Sequence, residues 1–158
     1  MPLLVTSHKT PVGTLNLLAD DQILIGANLS TVSAFKAGRD VKVVKSIPVI
    51  SDLINDYFDG DLTAINSIEV RQPGAKFSQN AWKSMRKIPA GKTLSYAELA
   101  KKSGSPDAVR AAGTACGNNL IAPIVPCHRV VKSGGALGNY GYGVKIKEWL
   151  LRHEGALQ

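Results

Sequence analysis

The chain of 158 residues holds only two cysteines, Cys116 and Cys127, and that scarcity excludes a disulfide framework. Neither falls in a CxxC pattern or in a CxxC pattern followed by HxxxH, so no zinc or other metal site is expected, and a reducing compartment leaves at least one thiol free. No apolar run approaches the ~18 residues of a membrane span. The amino terminus also lacks the basic-then-apolar layout of a secretion signal. An intracellular protein without membrane attachment is expected, in the cytoplasm or, in a eukaryote, the nucleus. Acidic residues are scarce in one half only. Residues 1–75 carry six Lys/Arg and eight Asp/Glu, a balance of −2, whereas residues 76–158 carry thirteen and four, a balance of +9. A field of that sign attracts a polyanion, although unpartnered surface lysines would give the same count. The stretch GGALGNYGYG, residues 134–143, is rich in glycine but has neither GxGxxG nor the GK[ST] ending of a phosphate loop, and no cofactor is expected.

With 44% hydrophobic residues the chain can bury one core or two small ones. LLVTS, TLNLLA and ILIGANL, separated by PVG and by DD, read as short antiparallel strands, with another near VKVVK. In SDLINDYFDG, Leu53, Ile54, Tyr57 and Phe58 recur at helical spacing and Gly60 is a stop. RQPGAK, residues 71–76, breaks both periodicities where the charge balance changes, which makes it the linker candidate. Beyond it, Phe77 and Trp82 flank the cap candidate Ser78 as a hydrophobic staple and predict a helix over roughly 78–87. Ser95 and Glu98 have capping-box spacing for SYAELAKK, ended by Gly104. Ser105 and Pro106 predict the start of a second helix, PDAVRAAGTACG, running to Gly117. A last helix over about 144–154 is expected to turn Ile146, Trp149 and Leu150 inward. The reading is an α+β fold: a small antiparallel-sheet/helix domain over 1–73, and a helical domain over 76–158 with a helix-turn-helix.

The second helix of that pair is rich in small residues, Ala108, Ala111, Ala112, Gly113 and Ala115, from which Arg110 projects. Such a surface suits close approach to a groove, or equally tight packing on a neighbouring helix. IVPCHRVV, residues 124–131, sets a thiol, an imidazole and a guanidinium on successive residues. A thiol reacts as the thiolate, and with a free pKa of about 8.5 it needs a base or positive charge beside it. His128 and Arg129 are of the right types, although side chains adjacent in an extended segment point to opposite faces, so a turn or a bridging water is required. Orienting the imidazole calls for a carboxylate. The basic half has only Glu98, Asp107, Glu148 and Glu154; Glu98 and Asp107 have helix-start roles, which leaves Glu154 as the best candidate. A buried structural cysteine, a cysteine hydrolase and a plain helix-turn-helix transcription factor all remain compatible with parts of this pattern.

PCHRV, preceded by the Arg110 helix and Asn119 and followed by GNYGYG and KEWLLRHEG, resembles the O6-alkylguanine-DNA alkyltransferases closely over residues 76–155, and weakly before that. The resemblance implies direct-reversal repair of double-stranded DNA containing O6-alkylguanine. The damaged base is flipped from the duplex through the minor groove, and the alkyl group passes irreversibly to Cys127. It implies His128 as a water-linked base polarised by Glu154, Asn119 as the brace of the active-site turn, and Tyr96 and Lys147 as donors to the leaving base. Tyr96, Val130, Tyr140 and Gly141 would bind the base. Arg110 would fill the vacated stack, with Ala108, Ala111, Ala112, Thr93, Ser95 and Tyr96 against DNA and Arg129 tied to neighbouring carbonyls. The protein would act as a monomer, with cooperative binding on DNA open. Tyr142 stands where the family usually has Gly or a small residue, and the expectation is a narrowed or reshaped pocket lip. An alkyltransferase-like binder, which repairs nothing, lacks the cysteine that is present here.

Overall fold

The computed structural model describes residues 2–158, and the chain divides into two compact units. Among the described residues the first comprises 2–72 with Leu120–Ile124, the second Pro73–Asn119 with Val125–Gln158. Residues 120–124, assigned by the linear reading to the second domain, therefore belong to the first unit. Their place is explained by pairing: the Ala27 amide donates to the Leu120 carbonyl at 2.9 Å, and the Leu120 amide donates to the buried Gln72 side chain at 2.8 Å.

In the first unit β1 (Leu3–Thr10), β2 (Gly13–Asp20), β3 (Ile23–Asn28) and β4 (Val41–Val43) form one sheet in the order β3-β2-β1-β4. The first three pair antiparallel, as the short apolar stretches between turn signals predict, but β4 lies parallel to β1, reached through the short helix α1 (Ser33–Lys36). β2 does not alternate: Leu15 through Ala19 are all buried, as in a central strand covered on both faces. Its one polar residue there, Asn16, accepts from Ser7 Oγ at 2.6 Å and donates to Asn28 Oδ1 at 3.0 Å, so burying the amide leaves no unpaired group on that side chain's oxygen or nitrogen. Val5, Leu18 and Phe35 form a core cluster. Gly26 makes it possible, since a Cβ there would lie 2.8 Å from the Phe35 ring. The helix α2 (Ile50–Phe58) buries Ile50, Ile54 and Tyr57.

The second unit packs α3 (Lys76–Arg86), α4 (Tyr96–Lys102), α5 (Val109–Gly117) and α6 (Val144–His153) with a short parallel pair, β5 (Leu94–Ser95) and β6 (Val130–Val131). α3 starts two residues earlier than the staple suggested, and Ser78 is not its cap. What orders this end is Trp82, whose Nε1 donates to the Ala115 carbonyl at 2.9 Å while its ring lies over Gly74; a Cβ on Gly74 would stand 2.6 Å from that ring. The Ser95–Glu98 capping box forms and starts α4. α5 begins at Val109, not at Pro106, because Ser105–Ala108 closes a tight turn, with the Ala108 amide donating to the Ser105 carbonyl at 3.0 Å. In α6 the buried positions are Lys147, Leu150 and Leu151, whereas Ile146 and Trp149 are half-buried. None of the described helices is long and apolar enough to cross a membrane.

Candidate active site

Cys127 opens a single 3-10 turn, Cys127–Arg129, directly after Pro126. In this turn the thiol, imidazole and guanidinium are all buried, and the imidazole and guanidinium meet at one carboxylate. Asn119 braces the turn from the end of α5, its Nδ2 donating to the Val125 carbonyl at 2.7 Å and its side chain also bonding Cys127. Asn118 serves instead as the C-cap of α5.

His128 is fully buried, with Nε2 2.8 Å from Glu154 Oε2. Glu154 sits at the C-terminal cap of α6 and is shared: Arg129 Nε donates to its Oε1 at 2.9 Å and Arg129 Nη2 to its Oε2 at 2.8 Å, while Arg129 Nη1 donates to the Ile88 carbonyl at 2.7 Å. The expected carbonyl tie of Arg129 is thus present, but its main partner is the carboxylate. Burial alone would raise the pKa of Glu154; the hydrogen bonds and charge of His128 and Arg129 outweigh it and hold the carboxyl well below its ordinary range. Burial pushes the His128 pKa down, more than Glu154 pulls it up, and the charges of Arg129 and Lys147 act in the same direction as burial. The imidazole is therefore neutral at neutral pH. Because an ionised carboxylate only accepts, Nε2 carries the proton and donates to Glu154, which leaves Nδ1 as the basic nitrogen. Among the described residues Nδ1 has no hydrogen-bond partner.

Gly91 lets its own segment pass close to the Glu154 backbone. Its φ of +90° suits glycine, and a Cβ there would lie 3.1 Å from the Glu154 carbonyl oxygen.

Cys127, 7% exposed, reaches one wall of an open cleft of about 770 Å³. Burial raises the thiol pKa, with Asn119 and Lys147 opposing, so the resting group is the thiol. Tyr96, Arg110, Tyr140 and Gly141 line the same cleft. Lys147 is completely buried; Nζ donates to the carbonyls of Val130 at 2.7 Å and Asn139 at 3.2 Å and lies 6.0 Å from the centre of the Tyr96 ring. Burial lowers its pKa, while Cys116 and Cys127 raise it. Burial first, then Cys116 and Cys127, raise the pKa of Tyr96, which keeps its hydroxyl a donor.

Other expected members lie elsewhere. Val130 does not line the cleft: as part of β6 its side chain is fully buried, and it contributes its carbonyl to Lys147. Ala112 is also fully buried, with Ala115, so both serve tight packing inside the unit, whereas Ala111 is exposed and Ala108 half-buried. Thr93 and Ser95 line a separate polar cavity. Tyr142 is not a wall of the cleft but packs edge-on against Tyr140, ring centres 5.7 Å apart, so it reaches the lip through that residue. Several cleft residues escaped the sequence reading, Cys116 and Lys132 among them. Cys116 lines it with Val109 and Gly113, at the 3.6-residue spacing that could have revealed a shared face of α5. Lys132 lines it too, and nothing local in the sequence marks it. Among the described residues, no cluster of His, Cys, Asp and Glu could hold a metal ion.

A cleft-facing thiol backed by a buried imidazole–carboxylate–guanidinium network defines a protein with a cysteine nucleophile. Which one is settled by its relatives. A family model described as the DNA-binding domain of 6-O-methylguanine DNA methyltransferase matches residues 76–156. The methylated-DNA–protein-cysteine methyltransferase of Shigella flexneri is 36% identical over 166 residues, covering 98% of this chain and 97% of that protein. The crystal structure of Mycobacterium tuberculosis OGT in complex with DNA is similar at a TM-score of 0.87 and 34% identity, over 97% of this chain and 93% of the other. The O6-methylguanine-DNA methyltransferase of Pyrococcus kodakaraensis strain KOD1, at 19% identity and a TM-score of 0.65, covers 97% of this chain and 99% of its own and shares the fold. The chain belongs to the methylated-DNA–protein-cysteine methyltransferase family.

Proposed function

We infer that this protein repairs DNA by direct reversal, taking the alkyl group of O6-alkylguanine onto Cys127 once and irreversibly. The observation that carries the reading is the neutral His128, held by Glu154 with its basic Nδ1 left for the proton of the thiol. Transfer of that proton, through one water, makes the thiolate at the moment of reaction. The sulfur attacks the alkyl carbon, the carbon–O6 bond breaks, and its electron pair leaves with the purine. Tyr96 supplies a proton or hydrogen bond to the departing base, and Lys147, with one Nζ donor beyond its two carbonyl bonds, supplies positive charge. The product is a thioether on Cys127 and an intact guanine in DNA; a thioether is no leaving group, so each chain acts once.

Delivery of the base falls to the helix pair α4–α5, read as a helix-turn-helix that enters the minor groove with the exposed Ala111 and Arg110 foremost. Arg110 takes the place of the extruded base, offsetting part of an unstacking cost of a few kcal/mol. The substrate is O6-alkylguanine in duplex DNA, bound by a monomer inside the cell. Intact mass after incubation with an O6-methylguanine oligonucleotide tests the reading: one methyl group per chain, mapped to Cys127, is expected, and none on Cys127→Ala. Release of many equivalents of repaired DNA per chain would instead mean a turning-over enzyme.

A further inference from the structure

Lys132 stands between two cavities of the second unit and, among the described residues, is the one that lines both. On one side is the reaction cleft with Cys127, Tyr96 and Arg110. On the other is a polar cavity of about 350 Å³ walled by Thr93, Ser95, Ser133 and the backbone of Gly134 and Gly135, with Glu98 and Val131. The lysine is exposed and makes no ion pair among the described residues. Its main chain is fixed by a turn, its amide donating to the Ala136 carbonyl at 2.8 Å and its carbonyl accepting from Gly135 at 3.1 Å.

Gly138 brings the stem of this lysine and the Tyr96 hydroxyl together. With φ +76°, a Cβ on it would lie 3.0 Å from the Tyr96 hydroxyl and 3.5 Å from Lys132 Cγ. The carboxylate of Glu98 is committed to the Ser95 amide at 3.0 Å, within its own helix. Three hydroxyls and the Lys132 ammonium therefore adjoin the place where a base would enter. A flipped nucleotide has two parts needing different surroundings, a flat base and a charged phosphate one sugar away. The paired cavities match that division.

We propose that Lys132 receives the phosphate of the flipped nucleotide, holding it over the polar cavity of Thr93, Ser95 and Ser133 while the base occupies the cleft. This rests on the base-flipping reading above. It makes Lys132 a positioning residue that favours the extruded state, because its contact is complete only when the backbone has rotated. The same cation could in principle contact any phosphate of the duplex, so the comparison that matters is damaged against undamaged DNA.

The test measures duplex binding at several salt concentrations in full-length protein carrying Cys127→Ala, with and without Lys132→Gln, using one duplex with O6-methylguanine and its undamaged counterpart. Loss of one phosphate contact should make the slope of log affinity against log salt shallower by about 0.9 on the damaged duplex. Affinity for it should fall on the order of tenfold, as for one charge-assisted hydrogen bond, and much less on the undamaged duplex. Lys132→Arg should restore the slope. Equal losses on both duplexes would make Lys132 a general backbone contact, and an unchanged slope would remove it from phosphate altogether; either result overturns the proposal. Failure of the underlying reading is distinct, since wild-type protein would then show no methyl group on Cys127.

Discussion

At the residue scale the chemistry turns on two pKa shifts of opposite sign. His128 is displaced below its ordinary 6.5 by burial, and Cys127 above its ordinary 9.0 by the same cause. The productive pair is neutral thiol with neutral imidazole. It loses its base only when acid protonates His128, below 6.5, and needs none once base ionises Cys127, above 9.0. The rate of alkyl transfer from the free base O6-benzylguanine should therefore be flat between those values, as single-turnover measurements across pH will show. A rise through pH 8–9 following simple thiol ionisation would mean that bulk water, not His128, removes the proton. Arg129 matters here without touching substrate. It keeps Glu154 ionised, and Glu154 in turn fixes which nitrogen of His128 is basic.

At the scale of elements α5 has two faces with different work. Ala112 and Ala115 face inward, where the Ala115 carbonyl accepts from Trp82, and their small size sets how near α3 and α4 can lie. Val109, Arg110, Gly113 and Cys116 face the cleft. If Arg110 replaces the extruded base, Arg110→Ala should slow repair of methylated duplex by a factor equivalent to a few kcal/mol at most, and change the reaction with free O6-benzylguanine far less. Paired single-turnover rates decide it. Equal losses on both substrates would return Arg110 to a structural or solvated side chain.

At the scale of the whole molecule charge is divided along the chain, −2 over residues 1–75 and +9 over 76–158. The basic part coincides with the family match and with every residue of the cleft. DNA affinity should accordingly fall steeply and linearly on a logarithmic salt axis, with about 0.9 in slope for each phosphate neutralised. Titrations of a labelled duplex with Cys127→Ala at increasing potassium chloride measure it. A salt-independent affinity would mean that the basic surface does not face phosphate.

Sequence by itself determined what depends on neighbours within a turn or two. The capping box of Ser95 and Glu98, the three antiparallel strands, the α+β class and the clustering of Cys127 with His128 and Arg129 were all legible, because capping, turn signals and adjacency are local. Glu154 could be singled out 26 residues from His128 only because acids are so few in that half. The tertiary structure alone decided the rest. Arg129 shares that carboxylate because burial forces both charges to find a partner. Ala112 and Val130 turn inward, where a residue's type does not say which face of its element will be covered. Leu120–Ile124 joins the first unit, and Lys132 comes to stand between two cavities, because both placements depend on where distant segments of the chain return.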